Sequence, residues 1–131
     1  MLKKVRHIGI VVDDLNNAVE RLNKTLGLNF TEFIERKEVG VTIAFAPVGE
    51  MFVELLHYTE ANQNKSSVVR KQEGAINHIC FEVDDLEEAI KYFRERGLRV
   101  AEGYPRVGGH GKVAFFEPST TEGVLIEICQ V

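Results

Sequence analysis

Asn77-His78-Ile79-Cys80-Phe81-Glu82-Val83-Asp84-Asp85-Leu86-Glu87-Glu88-Ala89-Ile90, closed by Gly97, reads as a buried strand, an aspartate helix start and an amphipathic helix. The chain has already used this order once. His7-Ile8-Gly9-Ile10-Val11-Val12-Asp13-Asp14-Leu15-Asn16-Asn17-Ala18-Val19, ending near Gly27, carries the same residue types in the same sequence. His7 answers His78, Asp13-Asp14-Leu15 answers Asp84-Asp85-Leu86, and Ala18-Val19 answers Ala89-Ile90. An internal repeat fixes architecture before any local reading does. Here it puts a histidine at the same place in each of two strands.

Working outward, Val5 to Val12 is expected to be a strand, and Leu15, Ala18, Val19, Leu22 and Leu26 recur at helical spacing behind an Asp13 or Asp14 cap. Gly27 is a fitting stop. Phe30 to Arg36, Val41 to Ala46 and Met51 to His57 follow as strands, with turns at Lys37-Glu38-Val39-Gly40 and Pro47-Val48-Gly49-Glu50. Tyr58 to Glu73 is polar and reads as a linker. The plan then repeats: strand Ile76 to Val83, helix Leu86 to Arg96, strands Leu98 to Tyr104, Lys112 to Phe116 and Val124 to Val131. Even short runs recur, since Val113-Ala114-Phe115 matches Ile43-Ala44-Phe45 and Leu125-Ile126-Glu127-Ile128 matches Phe52-Val53-Glu54-Leu55. The expected fold is α+β, built of two βαβββ modules. They make one domain over 1–131, with module one at about 1–58, a linker at 59–74 and module two at about 75–131.

Composition narrows the function classes. A chain of 131 residues with ordinary apolar content can bury a proper core. Its net charge of −4 argues against a nucleic-acid surface, which normally shows a basic stripe. No apolar run is long enough to span a bilayer, so no membrane role is expected. Cys80 and Cys129 lie in apolar strand patterns, and Met1-Leu2-Lys3-Lys4 carries no secretory pattern. Both cysteines are therefore expected to be reduced core thiols of a cytoplasmic protein.

Four titratable residues stand at equivalent repeat positions in otherwise apolar strands: His7 and Glu54, then His78 and Glu127. A lone histidine in a strand is more often a satisfied core residue than a ligand, and a lone strand glutamate usually faces water. The matched quartet is harder to dismiss, because burying carboxylates without a cation is expensive. Strand alternation sets Glu54 on a face with Phe52 and Leu56, and Glu127 on a face with Leu125 and Cys129. Two imidazoles and two carboxylates form a good ligand set for one divalent ion such as zinc, cobalt, nickel or manganese, its identity unspecified. Asp13-Asp14 and Asp84-Asp85 are expected to cap helices and to carry no chemistry.

With these residues in view, the chain resembles the vicinal-oxygen-chelate family, which includes glyoxalase I, methylmalonyl-CoA epimerase, extradiol dioxygenases and antibiotic-sequestering proteins. The similarity covers nearly the whole chain and is greatest to the methylmalonyl-CoA epimerase branch. It rests on His7-Ile8-Gly9-Ile10, Val53-Glu54-Leu55-Leu56, the stretch Asn77 to Asp85, the stretch Pro105 to Phe115, and Gly123-Val124-Leu125-Ile126-Glu127. The resemblance implies a glyoxalase-like curved mixed sheet around a metal cavity, with His7, Glu54, His78 and Glu127 as metal ligands. It implies Glu54 and Glu127 as catalytic bases in a proton transfer through a metal-stabilised enediolate, on a small thioester or hemithioacetal substrate. A homodimer follows from family habit. The runner-up activity is lactoylglutathione lyase (glyoxalase I), which shares the ligands. A non-catalytic antibiotic-binding protein is the alternative of another class, and retention of all four residues argues against it. An extradiol dioxygenase fits less well, because it wants two histidines, one carboxylate and open positions.

The departures matter too. The branch's His-Pro-Lys turn is Glu117-Pro118-Ser119 here, and its double histidine is Asn77-His78. The extra proton-transfer acid of some epimerases falls at Ile43, so that role does not transfer; Glu38 lies nearby and should point elsewhere. Arg70, Lys71, Arg106 and Lys112 are basic residues near the expected mouth, and His110 sits in the Gly108-Gly109-His110-Gly111 loop that could close over substrate. No site role is assigned to any of them.

Overall fold

A computed structural model describes residues 1–37, 40–59, 74–109 and 111–131. Glu38, Arg70, Lys71, His110 and most of the expected linker lie outside the described residues. The chain forms two compact units: one from 7–59 and 74–77, the other from Met1–Arg6 and His78–Val131.

The elements of the first unit follow the repeat. Strand β1 (Lys4–Val11) leads to helix α1 (Leu15–Leu26), then strands β2 (Glu32–Arg36), β3 (Val41–Val48) and β4 (Met51–Tyr58). Of the two candidate caps, Asp14 takes the role, its carboxylate accepting the Asn17 N–H at 3.1 Å. Gly27 ends the helix at φ 70°, a left-handed conformation in which a glycine pays no Cβ penalty. The strands run in the order β2-β3-β4-β1, antiparallel except for the parallel β1–β4 pair. The apolar stripe of α1 explains its seat: Leu15, Ala18, Val19 and Leu22 pack on a core of Phe30, Ala44, Ala46 and Leu55. Leu26, last in the helix, stands outside that contact and is exposed. Pro47 and Val48 extend β3 rather than forming the turn, which falls at Gly49-Glu50.

The second unit repeats the plan with β5 (Ile76–Glu82), α2 (Leu86–Arg94), β6 (Arg106–Val107), β7 (Lys112–Phe115) and β8 (Ile126–Gln130), in the order β5-β8-β7-β6. β5 and β8 are parallel, and the other pairs antiparallel. Asp85 caps α2 through the Glu88 N–H at 3.0 Å, a contact of about 1 kcal/mol. Leu86, Ala89 and Ile90 bury against Ala114, Phe116 and Ile128. The chain's first residues pack with this unit: the Lys3 N–H donates to the Glu82 carbonyl at 2.9 Å. Thus the two βαβββ modules read from the sequence are present.

One strand differs. Leu98 to Tyr104 makes only an isolated bridge, Val100 to Phe116, flanked by hydrogen bonds from Ala101 N–H to Phe115 O and from Glu117 N–H to Arg99 O. Gly103 has φ 89° and Pro105 has no N–H to donate, so the ladder breaks and resumes at Arg106.

Gly111 is closely enclosed. Its φ is 143°, and a Cβ there would run into the Gln130 carbonyl oxygen beside β7. Gly111→Ala is therefore expected to lower unfolding free energy by roughly 3 kcal/mol, measurable by urea denaturation. A loss under about 0.5 kcal/mol, typical of ordinary surface changes, would contradict this reading of the close approach.

Candidate functional site

In the first unit, β1–β4 register sets His7 beside Phe52, Gly9 beside Glu54 and Val11 beside Leu56. Residues paired across strands share a sheet face. This face is opposite to the one on which Ala44, Ala46 and Leu55 receive α1. Gly9 has no side chain to occupy the slot next to Glu54, and the His7 ring reaches diagonally across it. His7 Nε2 lies 3.3 Å from Glu54 Oε2. Both residues are buried. Phe45, paired with Glu54 from β3, meets Phe52 edge-on at 6.5 Å and keeps the surroundings apolar.

The second unit builds the same pair on the equivalent strands. His78 Nε2 lies 3.3 Å from Glu127 Oε1, and both residues are buried. The His78 ring meets Phe115 edge-on at 5.4 Å, and Phe115 is paired with Glu127. The slot held by Gly9 in the first unit is here held by Cys80, directly across from Glu127. Its sulfur lies within 4.8 Å of the Glu127 carboxylate. Burial first, then Cys129 and Glu127, push the Cys80 thiol well above its ordinary range. Cys80 and Cys129 are both buried, as expected from their strand patterns.

These geometries fit the donor chemistry of a metal. Donor bonds of about 2.1 Å set two neighbouring ligand atoms roughly 3.0 Å apart at a right angle and roughly 3.4 Å apart at the tetrahedral angle. The 3.3 Å separation found in each unit lies within that span. One imidazole nitrogen and one carboxylate oxygen per unit, held in apolar surroundings, suit a borderline divalent ion. α1 and α2 pack on the sheet faces opposite to these pairs and hold the strands that carry them.

The residues singled out in the sequence thus fall into two buried pairs, His7 with Glu54 and His78 with Glu127. Ile43, at the position of the extra acid, pairs with Leu56 and Ile34 and offers no proton-transfer group. Asn77 is buried beside His78 in sequence. The pattern of residue types does not single out Tyr104. Its ring packs edge-on against Phe115 at 5.1 Å, which places it beside the His78–Glu127 pair. The signal available was an aromatic residue two positions before an arginine, ahead of a glycine-rich loop.

The family model described as Glyoxalase/Bleomycin resistance protein/Dioxygenase superfamily matches residues 6–116. An ethylmalonyl-CoA/methylmalonyl-CoA epimerase of Cereibacter sphaeroides is 34% identical over all of this chain and all of that protein. The structure of a variant of Streptomyces coelicolor methylmalonyl-CoA epimerase in complex with 2-nitronate-propionyl-CoA has a TM-score of 0.86 at 28% identity, covering 99% of this chain and 95% of that one. A lactoylglutathione lyase of Escherichia coli O157:H7 is more distant, at 26% identity over 97% of this chain and 92% of that protein. Members of the superfamily typically bind a divalent metal. The chain therefore belongs to the glyoxalase/bleomycin resistance protein/dioxygenase superfamily, among its epimerase-like isomerases.

Proposed function

We propose that this chain epimerises a malonyl-type acyl-CoA thioester, methylmalonyl-CoA being the first candidate, with His7, Glu54, His78 and Glu127 as the ligands of one divalent ion. The observation that carries the reading is the duplicated buried His–Glu pair, 3.3 Å between donor atoms in each unit. The full-length similarity to an epimerase supports the choice of substrate. Zinc, cobalt, nickel and manganese all suit such a donor set.

When bound, the ion supplies Lewis acidity to the oxygens of a carbon acid. The rest of the work falls to the chain. His7 and His78 donate nitrogen and stay in place, their rings held by strand register and, for His78, by Phe115. Glu54 and Glu127 are the proton-transfer groups: one removes the proton α to the thioester carbonyl, and the proton returns to the opposite face of that carbon. A base must reach its proton before basicity matters, and apolar neighbours such as Phe45 and Phe115 keep competing water away from these carboxylates. With Ile43 in the place of the extra acid, the two glutamates carry the transfer in this chain.

The same reading extends to a homodimer in the cytoplasm with neither nucleic-acid nor membrane partners. The net charge of −4 supports leaving out a nucleic-acid partner, and among the described residues no helix is long and apolar enough to cross a membrane.

Proton NMR in D2O of metal-reconstituted protein with racemic methylmalonyl-CoA tests the proposal. The expected result is collapse of the methyl doublet as the α-proton exchanges, abolished by chelator. Absence of exchange with a fully loaded site would remove this substrate and direct the same assay to the methylglyoxal–glutathione hemithioacetal.

A further inference from the structure

We infer that Arg106, held in place by Tyr104, binds an anionic group of the substrate on the sheet face that carries Glu127. The inference rests on the proposed epimerase reading and names a specificity residue for it. Four basic residues lie near the expected mouth in the sequence, and pairing register separates two of them. Arg106 pairs with Val113, Val113 with Cys129, and Phe115 with Glu127, so Arg106 stands on the face of Glu127. Lys112 pairs with Val107 and Gln130 and stands on the other face. Arg70 and Lys71 lie outside the described residues.

Arg106 is also prearranged. Its guanidinium lies over the Tyr104 ring at 4.5 Å, and Nη2 donates to the Tyr104 hydroxyl at 2.9 Å. Tyr104 is itself braced by Phe115, the residue between it and His78. Burial raises the Tyr104 hydroxyl, with Arg106 opposing and Glu127 adding, so the hydroxyl stays protonated within electrostatic reach of both charged groups. Among the described residues no carboxylate pairs with Arg106, which is exposed. A fixed, planar, permanently charged fork with donors left over is suited to a carboxylate or phosphate and loses less side-chain freedom on binding than a lysine. The edge position of β6 makes it accessible to a ligand that extends from Glu127 toward solvent.

Two groups of the proposed substrate have this chemistry: the malonyl carboxylate and the phosphates of coenzyme A. The test compares wild type, R106Q and R106K with methylmalonyl-CoA and with the phosphate-free N-acetylcysteamine thioester of methylmalonate. R106Q is expected to raise KM roughly tenfold or more with little change in kcat, and R106K to recover part of the loss. A KM rise with both thioesters assigns the contact to the carboxylate; a rise with the CoA ester alone assigns it to phosphate. Tyr104→Phe keeps the ring but removes the hydroxyl anchor, and should give a smaller KM rise with an unchanged melting temperature. Wild-type KM in R106Q for both thioesters, or a fall in kcat alone, overturns the assignment while leaving the epimerase reading intact. Failure of the wild type to exchange either thioester overturns both.

Discussion

Glu127→Gln is expected to lower kcat by about 10²- to 10⁴-fold, the usual contribution of a positioned general base. Glutamine keeps the size and shape of the side chain, so the buried position beside His78, Cys80 and Phe115 is filled without a cavity. What disappears is a carboxylate able to hold the α-proton and, in the proposed ligand set, one anionic donor to the ion, so kcat is compared at saturating metal. Folding should be little affected, and thermal melting of the variant checks that. Glu54→Gln provides the internal comparison, because the repeat gives it an equivalent partner in His7. If the two carboxylates serve opposite faces of the substrate carbon, each single variant loses epimerisation yet keeps deuterium exchange with one enantiomer. If one carboxylate does all the transfer, its variant loses both, and the other keeps most of its rate. Near-normal turnover in Glu127→Gln would end the assignment of this residue as a base.

Much of this was legible in the chain because the repeat is a physical constraint and not a statistical one. A histidine and a glutamate that recur at matched strand positions inside apolar runs must be buried twice over, and burial of such groups calls for partners. The structure sets each carboxylate 3.3 Å from the imidazole of its own unit. Caps were legible for a similar reason, since an aspartate before an amphipathic run meets the orphan N–H groups of the first turn. Backbone geometry, not residue type, decides between Asp13 and Asp14 as the carboxylate that faces back onto the helix. The strand expected at Leu98 to Tyr104 fails for want of tertiary context. Apolar alternation suits a strand, but Gly103 and Pro105 redirect the backbone, so only Val100 is bridged. Tyr104 was invisible for a related reason, as its place beside Phe115 is made by that redirection. Nor does alternation alone say that Cys80 fills the slot that Gly9 leaves open in the other unit; the parallel β5–β8 register does.

His78→Ala is expected to weaken divalent-metal affinity more than about 100-fold, beyond the loss typical of disturbing a residue that merely orients a ligand. The nitrogen removed is one of only two imidazoles in the proposed set, and imidazole is the donor that favours zinc, cobalt and nickel over magnesium or calcium. The variant also leaves the Glu127 carboxylate in apolar surroundings without the ring 3.3 Å away, so the metal-free protein should lose some stability as well. These two effects separate by linkage. A metal that binds only the folded state stabilises it by about 2.7 kcal/mol when present at 100 times its dissociation constant. Adding zinc or cobalt should therefore raise the melting temperature of chelator-treated wild type clearly and that of His78→Ala hardly at all at the same concentration. Equilibrium dialysis with metal analysis measures the affinity directly, without reference to any substrate. His57→Ala is a suitable control: this imidazole contacts the Val12 carbonyl at 3.3 Å and lies outside the quartet, so the variant should bind metal like wild type. Equal metal-induced stabilisation of wild type and His78→Ala would remove His78 from the ligand set, and with it the equivalence of the two modules on which the proposed chemistry stands.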